Sequence, residues 1–82
     1  IRQLEPDLVV HLAGHSFVSH DQEGAMQAWR SNAVASCALA TALARYAPRA
    51  TVLFASTGEV YGNSLREGPA TESTPPLPQN PY

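Results

Sequence analysis

The hydrophobic positions divide the chain into a strand, a long helix and a second strand. Residues 7–14 form a short, nearly continuous apolar run that ends at a glycine, as is typical of a strand buried on both faces. From about Asp21 to Ala47, apolar residues recur at steps of three or four, and Pro48 follows them, which indicates a helix. Residues 51–55 form a second β-type run. This order predicts a β-α-β unit with parallel strands.

The helix is expected to pack on the sheet through a stripe of small and apolar side chains. The stripe comprises Met26, Trp29, Ala33, Cys37, Ala40 and Ala44, widened by Val34, Leu39 and Leu43. Cys37, the single cysteine, is therefore predicted to be a small core residue. Asn32 lies beside this stripe and is costly to bury without a partner. It either faces solvent or hydrogen-bonds a group at the strand ends.

Polar residues follow the second strand directly, and they are the candidates for chemistry. The cluster contains Ser56, Thr57 and Glu59, with Gly58 among them. Ligands of open parallel sheets bind beyond the carboxyl ends of the strands, so these side chains point to a site. An ordinary Ser/Thr/Gly turn is the alternative interpretation.

The first strand ends in residues without bulk, Ala13 and Gly14. Such an ending lets another group approach the backbone closely, and in an α/β fold that group is often a cofactor. His11, His15 and His20 lie around this strand end, but no carboxylate or thiol completes a ligand set. We therefore expect no metal site.

Composition narrows the class of protein. A chain of 82 residues with 44% hydrophobic and 15% charged residues fits at most one small globular domain with a marginal core. The net charge is −2 and lysine is absent, so no basic surface favours nucleic acid. The lone cysteine, with no signal peptide or membrane-spanning run, predicts a cytoplasmic protein that does not bind membranes.

The end of the chain is rich in proline. Five of the seven prolines follow residue 68, and a loop of about 20 residues without regular structure is uncommon in a compact domain unless it is functional or disordered. This loop directly follows the candidate site, although a loose tail is the alternative. The sequence also lacks an initiator methionine, so we expect a piece of a longer protein.

Four stretches together resemble the extended short-chain dehydrogenases/reductases of the NAD-dependent epimerase/dehydratase family. They are Pro-Asp-Leu-Val-Val-His-Leu-Ala-Gly at 6–14, Asn32 in the place of that family's Asn-x-x-Gly-Thr, Ser-Thr-Gly-Glu-Val-Tyr-Gly at 56–62, and Glu72 with Pro-Leu-Pro-Gln-Asn-Pro-Tyr ending at Tyr82. The resemblance covers essentially the whole chain. It implies that residues 1–82 are the central part of one NAD(P)-binding, Rossmann-type α/β domain, truncated at both ends. Of the doubly wound parallel sheet of that fold, this chain would contain one β-α-β unit, followed by a long Pro-rich active-site loop.

The same resemblance implies roles for individual residues. Tyr82 would open a Tyr-x-x-x-Lys motif whose lysine lies beyond this sequence, and Thr57, 25 residues earlier, would be its hydroxyl partner. Tyr82 would exchange a proton with the sugar 4-oxygen, while hydride passes between C4 and the nicotinamide of NAD or NADP. The implied cofactor-binding residues are Leu12, Ala13, Gly14, Asn32, Ala55 and Tyr82, and the implied substrate-binding residues are Ser16, Thr57, Gly58 and Glu59. Ser56 and Tyr61 would be structural supports.

Glu59 and Gly58 bear on the subclass of enzyme. Glu59 occupies the place of a catalytic base in sugar-nucleotide 4,6-dehydratases, but Gly58 stands where many of those enzymes carry an acidic residue. His-Leu-Ala-Gly-x-Ser-Phe-Val at 11–18 is similar to reductases of 4-keto-6-deoxy sugar nucleotides. The resemblance favours a reductase of the GDP-4-keto-6-deoxymannose type. A GDP-mannose 4,6-dehydratase, a 4-epimerase and a non-catalytic nucleotide-binding homologue are the alternatives; a homodimer that binds a nucleotide sugar is expected.

Overall fold

Two parallel strands form the sheet of the molecule. A computed structural model describes residues 1–16 and 21–82. Strand β1, Leu8–His11, pairs in parallel with strand β2, Thr51–Phe54, in register from the first residue of each strand to the last. The predicted pair of parallel strands is confirmed, and each strand ends before its apolar run does.

One continuous helical segment, residues 22–46, connects the strands, and we call it the crossover helix. It consists of helix α1, Gln22–Ala28, a π-helical turn, Trp29–Val34, and helix α2, Ala35–Tyr46. The Asp21 side chain caps its start by accepting the Gly24 N–H at 2.7 Å. The predicted helix is confirmed; the π-helical turn was not predicted. No helix in the described ranges is long and apolar enough to cross a membrane.

The crossover helix faces the sheet through only part of the predicted stripe, at Leu39 and Leu43. Among the described residues only Ala28 and Leu43 are buried hydrophobic positions, and the half-buried Asn32 and Ser36 share their side of the helix. Most of the stripe is exposed, including Met26, Cys37, Ala40 and Ala44. The prediction that Cys37 is a core residue is therefore wrong. Asn32 and Ser36 lie on the inward side because they hydrogen-bond groups of the first strand and its loop. A search for apolar residues at helical spacing does not detect such polar positions.

The sheet has one face toward the helix and one open face. Val52 and Phe54 border a cavity of about 300 Å³ whose other wall includes Leu43 of α2. Because side chains alternate along a strand, Leu8 and Val10 lie on the opposite face, where 61% and 52% of their surfaces are exposed. The molecule measures 44 × 32 × 15 Å. It is a thin slab of one sheet layer and one helix layer.

Short 3₁₀ helices replace regular structure after β2. They span Gly58–Val60 and Gly62–Glu67. The remaining residues, 69–82, contain no helix or strand, and we call them the Pro-rich segment.

The Pro-rich segment folds back onto the second 3₁₀ helix. The Asn63 N–H donates to the Leu77 carbonyl at 3.2 Å, and the Ser64 hydroxyl donates to the Pro75 carbonyl at 2.7 Å. Gly62 adopts φ +48° in the left-handed region, and a side chain there would overlap the Leu77 carbonyl oxygen. The segment is therefore a docked loop and not a loose tail.

Candidate active site

A cavity of about 420 Å³ lies beyond the carboxyl ends of both strands. It has walls from three parts of the chain: the loop after β1, the middle of the crossover helix and the loop after β2. The last two residues of the Pro-rich segment complete it. This is the edge at which an open parallel sheet binds its ligands.

Most of the site residues expected from the sequence meet at this cavity. Its lining includes Leu12, Ala13, Gly14, Ser16, Asn32, Ala55, Thr57 and Tyr82. Thr57 and Tyr82 are brought together although 25 residues separate them in the sequence, because the Pro-rich segment returns to the end of β2. Gly58 and Glu59 are not among the lining residues.

Asn32 ties the crossover helix to the loop after β1. Its Oδ1 accepts the His15 N–H at 2.6 Å, and its Nδ2 donates to the His15 carbonyl at 2.9 Å. Of the two alternatives for Asn32, the structure shows the hydrogen-bonded one. Asn32 lies within the π-helical turn, a distortion that recurs at functional sites. A Cβ atom on Gly14 would lie 3.0 Å from Asn32 Oδ1, so the absence of a side chain at Gly14 makes room for this contact.

His11 joins β1 to the crossover helix and to β2. Its Nε2 lies 3.0 Å from Ser36 Oγ, and its ring is 5.2 Å from that of Phe54 at a tilt of 41°. These partners give His11 a structural role at the end of the strand. In the ranges 1–16 and 21–82, no three His, Cys, Asp or Glu residues are placed to hold a metal ion. His20 and the Phe-Val end of the 11–18 motif lie outside the described residues.

Thr57 begins the first 3₁₀ helix and uses its hydroxyl oxygen to do so. Its Oγ1 accepts the Glu59 N–H at 3.2 Å, which leaves the hydroxyl hydrogen free to donate to another group. The Glu59 carboxylate is in turn held by Asn80, whose Nδ2 donates to Oε2 at 3.1 Å. The half-buried Thr57 thus lies at the cavity wall with its hydroxyl hydrogen available to donate.

Sequence reasoning missed several lining residues. These are Ala28, Trp29, Ala33, Ser36, Phe54 and Pro81, whereas His15 and Ser56, which the sequence placed near the strand ends, line the cavity as expected. The apolar pattern assigns Trp29 and Ala33 to the packing stripe, and the resemblance assigns Ser56 a supporting role. Helical spacing contained a usable signal, since Trp29 and Ser36 lie three and four residues from Asn32 and so share its side of the helix.

Comparison with known proteins places the chain in a family. A family model described as GDP-mannose 4,6 dehydratase matches residues 1–82. The GDP-6-deoxy-D-mannose reductase of Pseudomonas aeruginosa is 33% identical over 78 residues, which cover 94% of this chain and 26% of that relative. The chain thus spans about a quarter of the relative's length. No solved structure matches it.

These matches agree with the two-strand parallel sheet, the crossover helix and the cavity at the strand ends. They confirm the resemblance to the extended short-chain dehydrogenases/reductases. Since the family model covers all 82 residues, the chain belongs to the GDP-mannose 4,6 dehydratase family, a group of NAD(P)-dependent enzymes that act on nucleotide sugars.

Proposed function

We propose that this chain supplies the catalytic hydroxyls of an NAD(P)H-dependent reductase that acts on GDP-4-keto-6-deoxymannose. The observation that carries the proposal is the meeting of Thr57 and Tyr82 at one cavity beyond both strands. The name of the similar Pseudomonas aeruginosa reductase supports the direction of the reaction and the nucleotide sugar.

The cavity fits the nicotinamide end of a dinucleotide. Its volume of about 420 Å³ lies within the range of small-molecule sites. Ala13, Gly14 and Ala55 border it, and their small side chains let a flat ring approach the backbone. Gly14 has little room for a larger residue, because a Cβ atom there would crowd Asn32. Leu12 and these three residues would hold the cofactor, and Asn32 would keep the loop at His15 in place.

Thr57 and Tyr82 would act on the carbonyl oxygen at C4 of the sugar. When bound, NAD(P)H supplies the hydride that C4 receives. The C4 oxygen gains negative charge as its double bond breaks, and the Thr57 hydroxyl donates a hydrogen bond to it. Tyr82 transfers its phenolic proton to the same oxygen, which completes the alcohol. Thr57 is suited to donate because its oxygen already accepts the Glu59 N–H. Ser16, which also lines the cavity, would contact the sugar nucleotide.

A sugar-nucleotide 4,6-dehydratase is the second candidate function. The description of the matching family and the carboxylate of Glu59, two residues after Thr57, favour it. A dehydratase needs a base to remove water across C5 and C6 of the sugar. Glu59 is the candidate for that base, but its carboxylate is hydrogen-bonded to Asn80 and lies outside the cavity lining. We therefore place the reductase first.

The net change in the cofactor distinguishes a reductase from a dehydratase or an epimerase. The full-length gene product is incubated with GDP-4-keto-6-deoxymannose and either NADH or NADPH, and oxidation of the cofactor is followed by absorbance. A reductase consumes one reduced cofactor for each sugar reduced, and the faster of the two reactions identifies the preferred cofactor.

The second assay supplies GDP-mannose and oxidised cofactor, with the sugar products analysed by mass spectrometry. A dehydratase releases a 4-keto-6-deoxy product with no net change in cofactor, and a 4-epimerase changes the configuration at C4 without loss of water. Turnover in the second assay alone would contradict the reductase. Absence of turnover in both would leave the non-catalytic homologue. The homodimer and the cytoplasmic location stay predictions; sedimentation of the full-length product tests the former.

A further inference from the structure

One side-chain hydrogen bond connects the loop that carries Thr57 to the segment that carries Tyr82. Asn80 Nδ2 donates to Glu59 Oε2 at 3.1 Å across 21 residues of sequence. The other anchors of the Pro-rich segment, at Pro75 and Leu77, lie further along the chain from Tyr82. Asn80 is therefore the anchored residue nearest to the tyrosine.

Only Pro81 separates Asn80 from Tyr82 along the chain. A proline has a fixed φ, and it also restricts the residue before it to extended conformations. Few backbone torsions are therefore free between the Asn80 side chain and the Tyr82 ring. Shifting Asn80 would shift the tyrosine with it.

Glu59 is fixed at its other end by Thr57. The Glu59 N–H donates to Thr57 Oγ1 at 3.2 Å, while the Glu59 carboxylate accepts from Asn80. Two hydrogen bonds thus link the Thr57 hydroxyl to Asn80, and the covalent chain continues from Asn80 through Pro81 to Tyr82. Neither Glu59 nor Asn80 lines the cavity itself.

We propose that Glu59 and Asn80 form a positioning pair that sets Tyr82 relative to Thr57. This inference rests on the proposed function, because it assumes that both hydroxyls act on one substrate oxygen. It gives Glu59 a role through Asn80 and Tyr82, in place of a role as a base on the sugar. A misplacement of about 1 Å is enough to lower a rate on the order of 100-fold.

Single substitutions distinguish a positioning carboxylate from a base. Glu59→Ala and Asn80→Ala each remove the hydrogen bond, and we expect kcat to fall about 10- to 100-fold with KM nearly unchanged. Glu59→Gln keeps a carbonyl oxygen that accepts from Asn80, and we expect it to keep most of the activity. A Glu59→Gln protein as inactive as Glu59→Ala would overturn the inference.

Reversing the hydrogen bond provides a rescue experiment. Asn80→Asp alone places two carboxylates against each other and should lower kcat at least as much as Asn80→Ala. Combined with Glu59→Gln, the new glutamine amide can donate to the new aspartate, and kcat should recover about tenfold over the Asn80→Asp single variant. Failure of the double variant to recover would contradict pairing of these two side chains.

The control is Gln79→Ala. The Gln79 amide donates only within its own segment, to the carbonyls of Leu77 and Pro78. Gln79 neither lines the cavity nor belongs to the positioning pair. Its removal should therefore leave kcat within about twofold of wild type. A loss as large as that of Asn80→Ala would show that any change in the segment is disruptive.

A second readout does not depend on turnover. The side-chain amide signal of Asn80 in the NMR spectrum of the full-length product should shift strongly in Glu59→Ala and much less in Glu59→Gln. If the wild type reduces no 4-keto nucleotide sugar, the proposed function fails; an Asn80 signal insensitive to Glu59→Ala would overturn the pair as well. If the wild type is active while Glu59→Ala and Asn80→Ala match it, only the positioning inference fails.

Discussion

The β-α-β unit and the segment after β2 build one cavity by different means. The β-α-β unit, residues 8–54, is held by a parallel ladder and a continuous helix, and it contributes mainly small and apolar walls. Residues 56–82 contain 3₁₀ helices, turns and irregular chain, and individual hydrogen bonds fix them to one another. This second region contributes the hydroxyls of Thr57 and Tyr82. Cofactor binding and proton transfer should therefore respond to substitutions in different regions.

Tyr82→Phe should give the largest effect and the cleanest test of this division. Removing the phenolic proton donor should lower kcat on the order of 10²- to 10⁴-fold, with the cofactor Kd and the Tm of the full-length product nearly unchanged. The rate of cofactor oxidation measures kcat, and calorimetry measures the cofactor Kd and the Tm. Tyr46→Phe is the control, because Tyr46 ends α2 outside the cavity and contacts the Arg45 guanidinium. Full activity of Tyr82→Phe would remove Tyr82 from the chemistry.

Thr57→Val should have the next largest effect. It keeps the shape of the side chain but loses the hydroxyl, so we expect kcat to fall about 100-fold through loss of a hydrogen bond to the C4 oxygen. It also removes the acceptor for the Glu59 N–H, at a cost of about 1 kcal/mol in free energy of unfolding. Thr57→Ser retains both interactions and should stay within about tenfold of wild type. Equal losses in the valine and serine variants would point to shape and not to the hydroxyl.

Gly14→Ala tests the other region. The added methyl group would lie 3.0 Å from Asn32 Oδ1 and should displace that side chain, at a cost of about 1–2 kcal/mol. We expect the Kd of the reduced cofactor to rise about tenfold and kcat at saturating cofactor to change little, as measured by titration calorimetry and initial rates. Gly58→Ala is the matched control for cofactor affinity, because its added methyl group would meet no atom within 4 Å beyond the adjoining residues. If kcat fell while Kd stayed the same, the two regions would not be separable.

Ser64→Ala should give the smallest effect. It removes one hydrogen bond to the Pro75 carbonyl, at about 0.5–1.5 kcal/mol. Faster amide hydrogen exchange in residues 69–82 should report this loss, whereas the Tm should shift by no more than a few degrees. Thr41→Ala removes a comparable bond within α2, to the Cys37 carbonyl, and should leave exchange in residues 69–82 unchanged. Equal exchange in the two variants would show that Ser64 does not anchor the segment.

The regular elements could be predicted from the sequence because their signals are local. Apolar runs and helical spacing located both strands and the helix ends to within a few residues. The same counting assigned Leu43 to the inward helix face. It did not identify Asn32 and Ser36 there, because hydrogen bonds to His15 and His11 place them. The resemblance paired Thr57 with Tyr82, which periodicity could not do. The Glu59–Asn80 bond has no local signature, because its partners meet only after the Pro-rich segment has turned back.

The π-helical turn has a consequence for how related chains are aligned. A π-type hydrogen bond spans one residue more than an α-type bond, so the turn takes up an extra residue that would otherwise rotate the rest of the helix by about 100°. Two α-helical turns, or seven residues, after the buried Ala28 comes the exposed Ala35; the half-buried Ser36 is one residue later, and Leu43 lies seven beyond it. Deleting a single residue between 29 and 34 would remove the need for the π-helical turn and leave Ala28, Ser36 and Leu43 on one side of a regular α-helix.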